Sequence, residues 1–127
     1  MSTILYPFTV LNKNKESYIN TIEFAKEIGA KVVCFTAVID EEKLDDAYLH
    51  LLDLQGYYQT NFNNWKSTEM KVLSELKIGI LVNQLSEFLK TEQVDFIIAD
   101  ANSMVLNESF IYQLVKESDN QPTILNL

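Results

Sequence analysis

Arginine is absent from this chain. All ten basic residues are lysine, and they stand against 18 carboxylates for a net charge of −8. Arginine is the preferred residue for bidentate contacts to phosphate and to guanine, and no basic cluster takes its place, so nucleic-acid binding is not expected. The same balance disfavours an anionic membrane surface. Cysteine occurs once, at Cys34, which rules out an internal disulfide and agrees with a reducing compartment. His50 is the one histidine, so a closed zinc site has too few ligands. Long apolar runs are missing too: stretches such as Phe96 to Ala99 fall far short of the ~20 residues that cross a bilayer. Met1-Ser2-Thr3 leads into strand-like sequence without a basic start, so the expectation is a soluble, cytoplasmic protein. Glycine and proline are scarce, with 3 and 2 copies in 127 residues, which argues against fibrous and low-complexity classes.

The chain has apolar material in ordered blocks instead. At 47% hydrophobic and 127 residues it fits one packed domain with a sizeable core. Thr3 to Phe8, closed by Pro7, and Lys31 to Val38, after Gly29, read as strands. Between them Tyr18, Ile19, Ile22, Ala25 and Ile28 recur at helical spacing, with Asn14 as N-cap and Gly29 just past the end. A long helix follows, with Leu44, Tyr48, Leu51, Tyr58, Phe62 and Trp65 marking one face over about six turns. Asp40 is placed to cap it, and Gly56 to bend or divide it. Met70 to Leu76 reads as a third strand, with Gly79 at the turn into a helix carrying Leu81, Leu85, Phe88 and Leu89. Val94 to Ala99, polar only at Asp95, has the character of a central strand covered on both faces. Asn107 caps a fourth helix with Phe110, Ile111, Leu114 and Val115, and Pro122 admits a last strand, Thr123 to Leu127. Strict strand-helix alternation makes this one α/β domain with parallel, right-handed crossovers.

Four segments carry a family likeness. Ile4-Leu5-Tyr6-Pro7 is similar to the opening strand, Ile28-Gly29-Ala30 to the helix-to-strand turn, Val94-Asp95-Phe96-Ile97-Ile98 to the Asp-Leu-Ile-Val strand, and Pro122-Thr123-Ile124-Leu125 to the closing Pro-Val-Leu of the universal stress protein (UspA-like) family. The resemblance runs over nearly the whole chain. It implies a single-domain three-layer α/β/α sandwich over residues 1–127, with a five-stranded parallel sheet of order 3-2-1-4-5, as in adenine nucleotide alpha hydrolase-like folds. A crevice is then expected at the carboxyl ends of strands 1 and 4, where the strand order reverses.

In that crevice the nucleotide-binding members place an Asp after the first strand, and after the fourth a Gly-x2-Gly-x9-Gly-Ser/Thr loop. Here Thr9 stands at the Asp position, Asp100 at the first glycine and Ser103 at the second, while Glu108-Ser109 matches the closing pair. Matched this way, the segment is about five residues short, and no glycine follows Gly79. Glycine serves in phosphate loops because backbone N–H groups must approach the anion in conformations that a Cβ hinders. Asp100 and Glu108 would also bring like charge toward a polyphosphate, a repulsion that only a bridging Mg²⁺ would reverse. The resemblance therefore implies a divergent member whose cleft is lined by Pro7, Thr9, Val38, Asp100, Ser103 and Ser109. No bound cofactor is expected, with ATP and Mg²⁺ as the alternative.

No complete catalytic apparatus is visible. Asp46, His50 and Asp53 share a helical stripe, read here as a solvated polar face and not a metal site. Cys34, mid-strand among Val32, Val33 and Phe35, reads as an inert buried thiol. Tyr48, Tyr57, Tyr58, Phe62 and Trp65 read as core or interface. Asp100 can bind a ligand or metal at the strand end, or cap the turn through Asn102 and Ser103. Pro7-Phe8-Thr9-Val10 lacks the acids a phosphorylation receiver needs after its first strand. Two functions stay open: a non-catalytic interaction or regulatory module, and a nucleotide-binding stress protein with an altered cleft. Thr123 to Leu127 would be an apolar edge strand, so a homodimer through it is expected, with an unknown protein partner besides.

Overall fold

The order of elements follows from that alternation, and the faces of each follow from period-two and period-3.6 patterns. The structure, a computed structural model, describes residues 1–9, 15–62 and 71–127, with the side chains of 58–62 outside the description. The elements are β1 (Thr3–Pro7), α1 (Glu16–Ile28), β2 (Lys31–Val38), α2 (Leu44–Phe62), β3 (Lys71–Ile78), α3 (Leu81–Thr91), β4 (Phe96–Ala99), α4 (Glu108–Lys116) and β5 (Thr123–Asn126). A short 3-10 turn, Glu41–Lys43, leads into α2. All pairings are parallel, in the order β3-β2-β1-β4-β5. The expected sheet order and the α/β class are thus present.

Alternate residues of the central strands feed two cores. Ile4, Tyr6, Val32, Cys34 and Ile98 face α1 and α2, meeting Tyr18, Ile22, Leu51 and Leu54. Leu5, Val33, Phe35 and Ile97 face α3 and α4, meeting Leu85, Leu89, Ile111 and Leu114. A one-residue slip would exchange the two sets, so the register is strongly specified. Asp95, the polar residue of the fourth apolar run, lies just before β4 and ties three strands. Its carboxylate accepts the Thr3 N–H at 2.8 Å, its N–H donates to the Thr3 carbonyl, and its carbonyl accepts from Thr123 N–H.

Gly29 ends α1 in the left-handed conformation (φ 66°), and Ala30 N–H then reaches back to the Ala25 carbonyl at 2.9 Å. Asn107 caps α4 through its side chain, which accepts the Phe110 N–H at 3.0 Å. The N-cap position of α1 falls to Lys15, without a side-chain cap bond, in place of the expected Asn14; Asn14, Trp65 and Met70, with the Tyr58 and Phe62 side chains, lie outside the described residues. Asp40 makes no side-chain cap; its carbonyl accepts from Lys43 N–H in the 3-10 turn. Gly56 sits within an unbroken α2, and a Cβ there would meet open space.

One face was misplaced by the pattern. Among its described side chains α2 buries Ala47, Leu51 and Leu54, whereas Tyr48 is 57% exposed. Successive helical positions differ by about 100°, so a stripe centred on Ala47 turns Tyr48 outward. Ala47 is small enough for α2 to approach the sheet closely, which a periodicity weighted by large residues overlooks.

Candidate functional site

The strands end at different heights on their carboxyl side. β1 stops at Pro7, paired with Phe35, while β2 continues to Val38 opposite Ile78. Phe8 N–H still reaches the Phe35 carbonyl at 3.0 Å, and the buried Thr36 hydroxyl donates to the Phe8 carbonyl at 2.8 Å. Thr9 therefore leaves the sheet low, beside the taller end of β2. On the far side Gly79 N–H donates to the Val38 carbonyl at 2.7 Å, and φ of 140° at Gly79 turns the chain into α3. That angle suits glycine, and a Cβ would also stand 2.7 Å from the Gln84 side chain.

The step leaves a cavity of about 1160 Å³ between the strand ends, α2, the start of α3 and the β4–α4 loop. Thr9, Ala37, Val38, Leu81, Val82 and Leu106 contribute to its wall. Ile39, Leu49, Ile80 and Val105 also line it while remaining 80%, 62%, 59% and 46% exposed, so they form an apolar mouth. The charged lining comprises Asp40, Asp46 and Asp53 with Lys15 and Lys43. Lys15 Nζ is 2.8 Å from Asp53 Oδ2 and 6.0 Å from the Tyr57 ring centroid, so its charge is committed to those groups.

His50 departs from the solvated stripe expected of it. It is half-buried in the cavity wall, its ring 5.1 Å from Phe8. From there aromatic contacts run through Phe8 and Tyr6 to Tyr18 and Tyr57, pinning α1 and α2 to β1. Tyr57 thus has the core role expected of it. Among the described residues no group of three His, Cys, Asp or Glu side chains is placed to hold a metal ion. Beneath the cavity Cys34 is fully buried, and burial pushes its thiol up to about 12. Burial, reinforced by Cys34 and then Asp100, likewise raises the Tyr6 hydroxyl above its ordinary value. Neither group offers an anionic nucleophile near neutral pH.

The β4–α4 loop, where the phosphate-binding segment was sought, is closed on itself. Asp100 N–H donates to the Leu106 carbonyl at 2.8 Å, and Ser103 N–H to the Asp100 carbonyl at 3.0 Å. Asn102 N–H donates to Asp100 Oδ1 at 2.9 Å. The Ser103 hydroxyl oxygen accepts from both Val105 and Leu106 N–H, at 3.2 and 3.0 Å. Asn107 Nδ2 adds a bond to the Met104 carbonyl. No residue of the loop has positive φ, so no concave nest of N–H groups forms for an anion.

Of the six residues assigned to the cleft, Thr9 and Val38 line the cavity. Pro7 is buried in β1 beneath it, Asp100 and Ser103 turn into their own loop, and Ser109 is exposed on α4. Lys15, His50 and the apolar mouth were missed as site residues. The available signal was the apolar residue just beyond two strand ends, Ile39 and Ile80, where polar turn residues are usual.

No protein-family model matches the chain, and no curated protein does either. Solved structures do. The universal stress protein UspA from Lactobacillus plantarum superposes with a TM-score of 0.71 at 17% identity, covering 99% of this chain and 97% of that one. The fold is that of the universal stress proteins. A universal stress protein from Archaeoglobus fulgidus gives a TM-score of 0.63 at 12% identity, over 98% of this chain and 93% of that one. A universal stress protein in complex with cAMP gives 0.67 at 12% identity, over 98% and 96%. The universal stress protein likeness expected from the four strand and turn segments thus holds at the level of the fold and runs over nearly the whole chain.

Proposed function

We propose that this domain is a non-catalytic interaction or regulatory module of the universal stress protein type, cytoplasmic, and without ATP binding in the β4–α4 loop. The observation that carries this is the closed loop: the N–H groups of Asp100, Asn102, Ser103, Val105 and Leu106 already have acceptors within it. A triphosphate would have to break those bonds and approach Asp100 without gaining a cationic side chain from the loop. The loop residues present do not fit ATP with Mg²⁺. Calorimetry at millimolar ATP and Mg²⁺ tests the reading. No measurable heat is expected, and a micromolar dissociation constant would overturn it.

A nucleotide reading retains one supporting observation, since a structural relative is a complex with cAMP and the present chain has a cavity at the carboxyl ends of its strands. In this reading Thr9 and Val38 would contact the ligand from the cavity wall. A thermal-shift series with ATP and with cAMP separates the two, because a ligand at 100 times its dissociation constant stabilises by about 2.7 kcal/mol.

The partner for the module's own edge is a second copy. The two edge strands differ: β3 carries Lys71, Glu75 and Lys77, and β5 carries no charge. Charged edges resist pairing and uncharged ones invite it. An isologous pairing through Thr123–Leu127 would give the outward edge of β5 a partner strand. Sedimentation should show a dimer at tens of micromolar that Leu125→Pro weakens, and a monomeric wild type would contradict it.

A further inference from the structure

The cavity and the charges around it suggest what kind of partner the module engages. We infer that the cleft is a docking groove for a basic amphipathic helix of another protein. The helix would set its apolar face against Ile39, Leu49 and Ile80, and its cationic face against the acids at the start of α2. This rests on the interaction-module reading above and specifies the partner's chemistry at the same cleft.

Size, polarity and charge each narrow the occupant. At about 1160 Å³ the cavity exceeds the range common for small-molecule sites, roughly 300–1,000 Å³. Its mouth presents large aliphatic side chains more than half exposed, at Ile39, Leu49 and Ile80, and such apolar surface marks an interaction site. The charge nearest that mouth is negative: five of the seven residues 40–46 are acids, against Lys43 alone. Asp40 and Asp46 line the cavity itself, and Glu41, Glu42 and Asp45 are exposed in the same turns. A second copy is a poor occupant, because two chains of net charge −8 would bring matching acidic collars together. A nucleotide meets the same collar beside a loop whose amides are already used. A helix with leucine-like residues at i, i+3, i+4 and i+7 and lysines elsewhere matches both the apolar mouth and the acids.

The probe is a fluorescein-labelled 15-residue helix of leucine and lysine in that spacing, with a control in which every lysine is glutamate, titrated into the full chain. Saturable binding of the lysine peptide is expected, with the glutamate peptide at least about tenfold weaker. Ile39→Ala and Leu49→Ala, exposed enough to leave the fold intact, should each weaken binding by about tenfold, the loss typical of an interface anchor. Asp40→Asn with Asp46→Asn should weaken it and flatten its dependence on salt. Glu108→Gln, on α4, should change nothing. Amide resonances of Ile39, Leu49 and Ile80 should move on titration. The inference is overturned by no saturable binding, by Ile39→Ala and Leu49→Ala binding as wild type, or by shifts confined to other surfaces. It is also overturned if benzyltrimethylammonium alone moves the same resonances at the same concentrations, since the site would then be one for a small cation. ATP with Mg²⁺ added to the same sample distinguishes the two failures. Silence toward both peptide and ATP removes this inference alone, whereas ATP shifts in the β4–α4 loop remove the module reading.

Discussion

Two stretches at the same edge of the sheet meet solvent in opposite ways. The β4–α4 loop directs the N–H groups of Asp100, Asn102, Ser103, Val105 and Leu106 to its own oxygens and tucks Leu106, 2% exposed, into the second core, lending only the Val105 side chain to the apolar mouth. The ends of β2 and β3 instead leave Ile39 and Ile80 largely in water beside an open cavity. The difference teaches where binding capacity lies: groups already paired have little left for a ligand, and exposed aliphatic side chains gain by being covered.

The comparison sharpens if the two stretches respond unequally to truncation. Leu106→Ala should destabilise by about 2–5 kcal/mol, as buried leucines do, whereas Ile39→Ala should stay within about 0.5 kcal/mol. Urea unfolding measures both, and similar losses would erase the distinction. Beneath the two stretches, Cys34 and Tyr6 set an alkaline limit. Their folded pKa values lie above the unfolded ones, so above pH 9 the unfolded chain sheds protons that the folded chain keeps. Stability is therefore full below pH 9 and falls on the way to about 12, by roughly 1.4 kcal/mol per pH unit for each group in its window. Denaturation followed against pH checks the sign.

Ser103→Ala removes the acceptor of two solvent-near loop amides and should cost about 0.5–1.5 kcal/mol. Hydrogen exchange at Val105 and Leu106 should quicken with it, while amides around Gly79 keep their rates. A loss of about 1 kcal/mol is expected of Asn107→Ala for the missing cap, read as a shifted urea midpoint.

The sequence carried the sheet well, because each strand and helix had its own hydrophobic period and its own punctuation. Gly29, Asn107 and Asp95 act where local chemistry places them, and the sheet order came with the family likeness. Of the two roles weighed for Asp100, the structure shows the turn-capping one, with Asn102 N–H on its carboxylate and the Ser103 hydroxyl closing the rest of the loop. The cavity wall was harder to read. Which face of α2 turns inward depends on where that helix crosses the strand ends, a tertiary fact absent from its own periodicity. Tyr48 therefore went outward and His50 inward, against expectation, and Lys15 met Asp53 across a separation of sequence that no local pattern reveals.

The most direct test of the closed loop observes its amides while the nucleotide is offered. In a ¹H–¹⁵N titration with millimolar ATP and Mg²⁺, the resonances of Asn102, Ser103, Val105 and Leu106 should stay in place, because their N–H groups remain bonded to Asp100 and Ser103. Saturable shifts of those four resonances at micromolar nucleotide would show the loop opening to an anion, and would contradict the account.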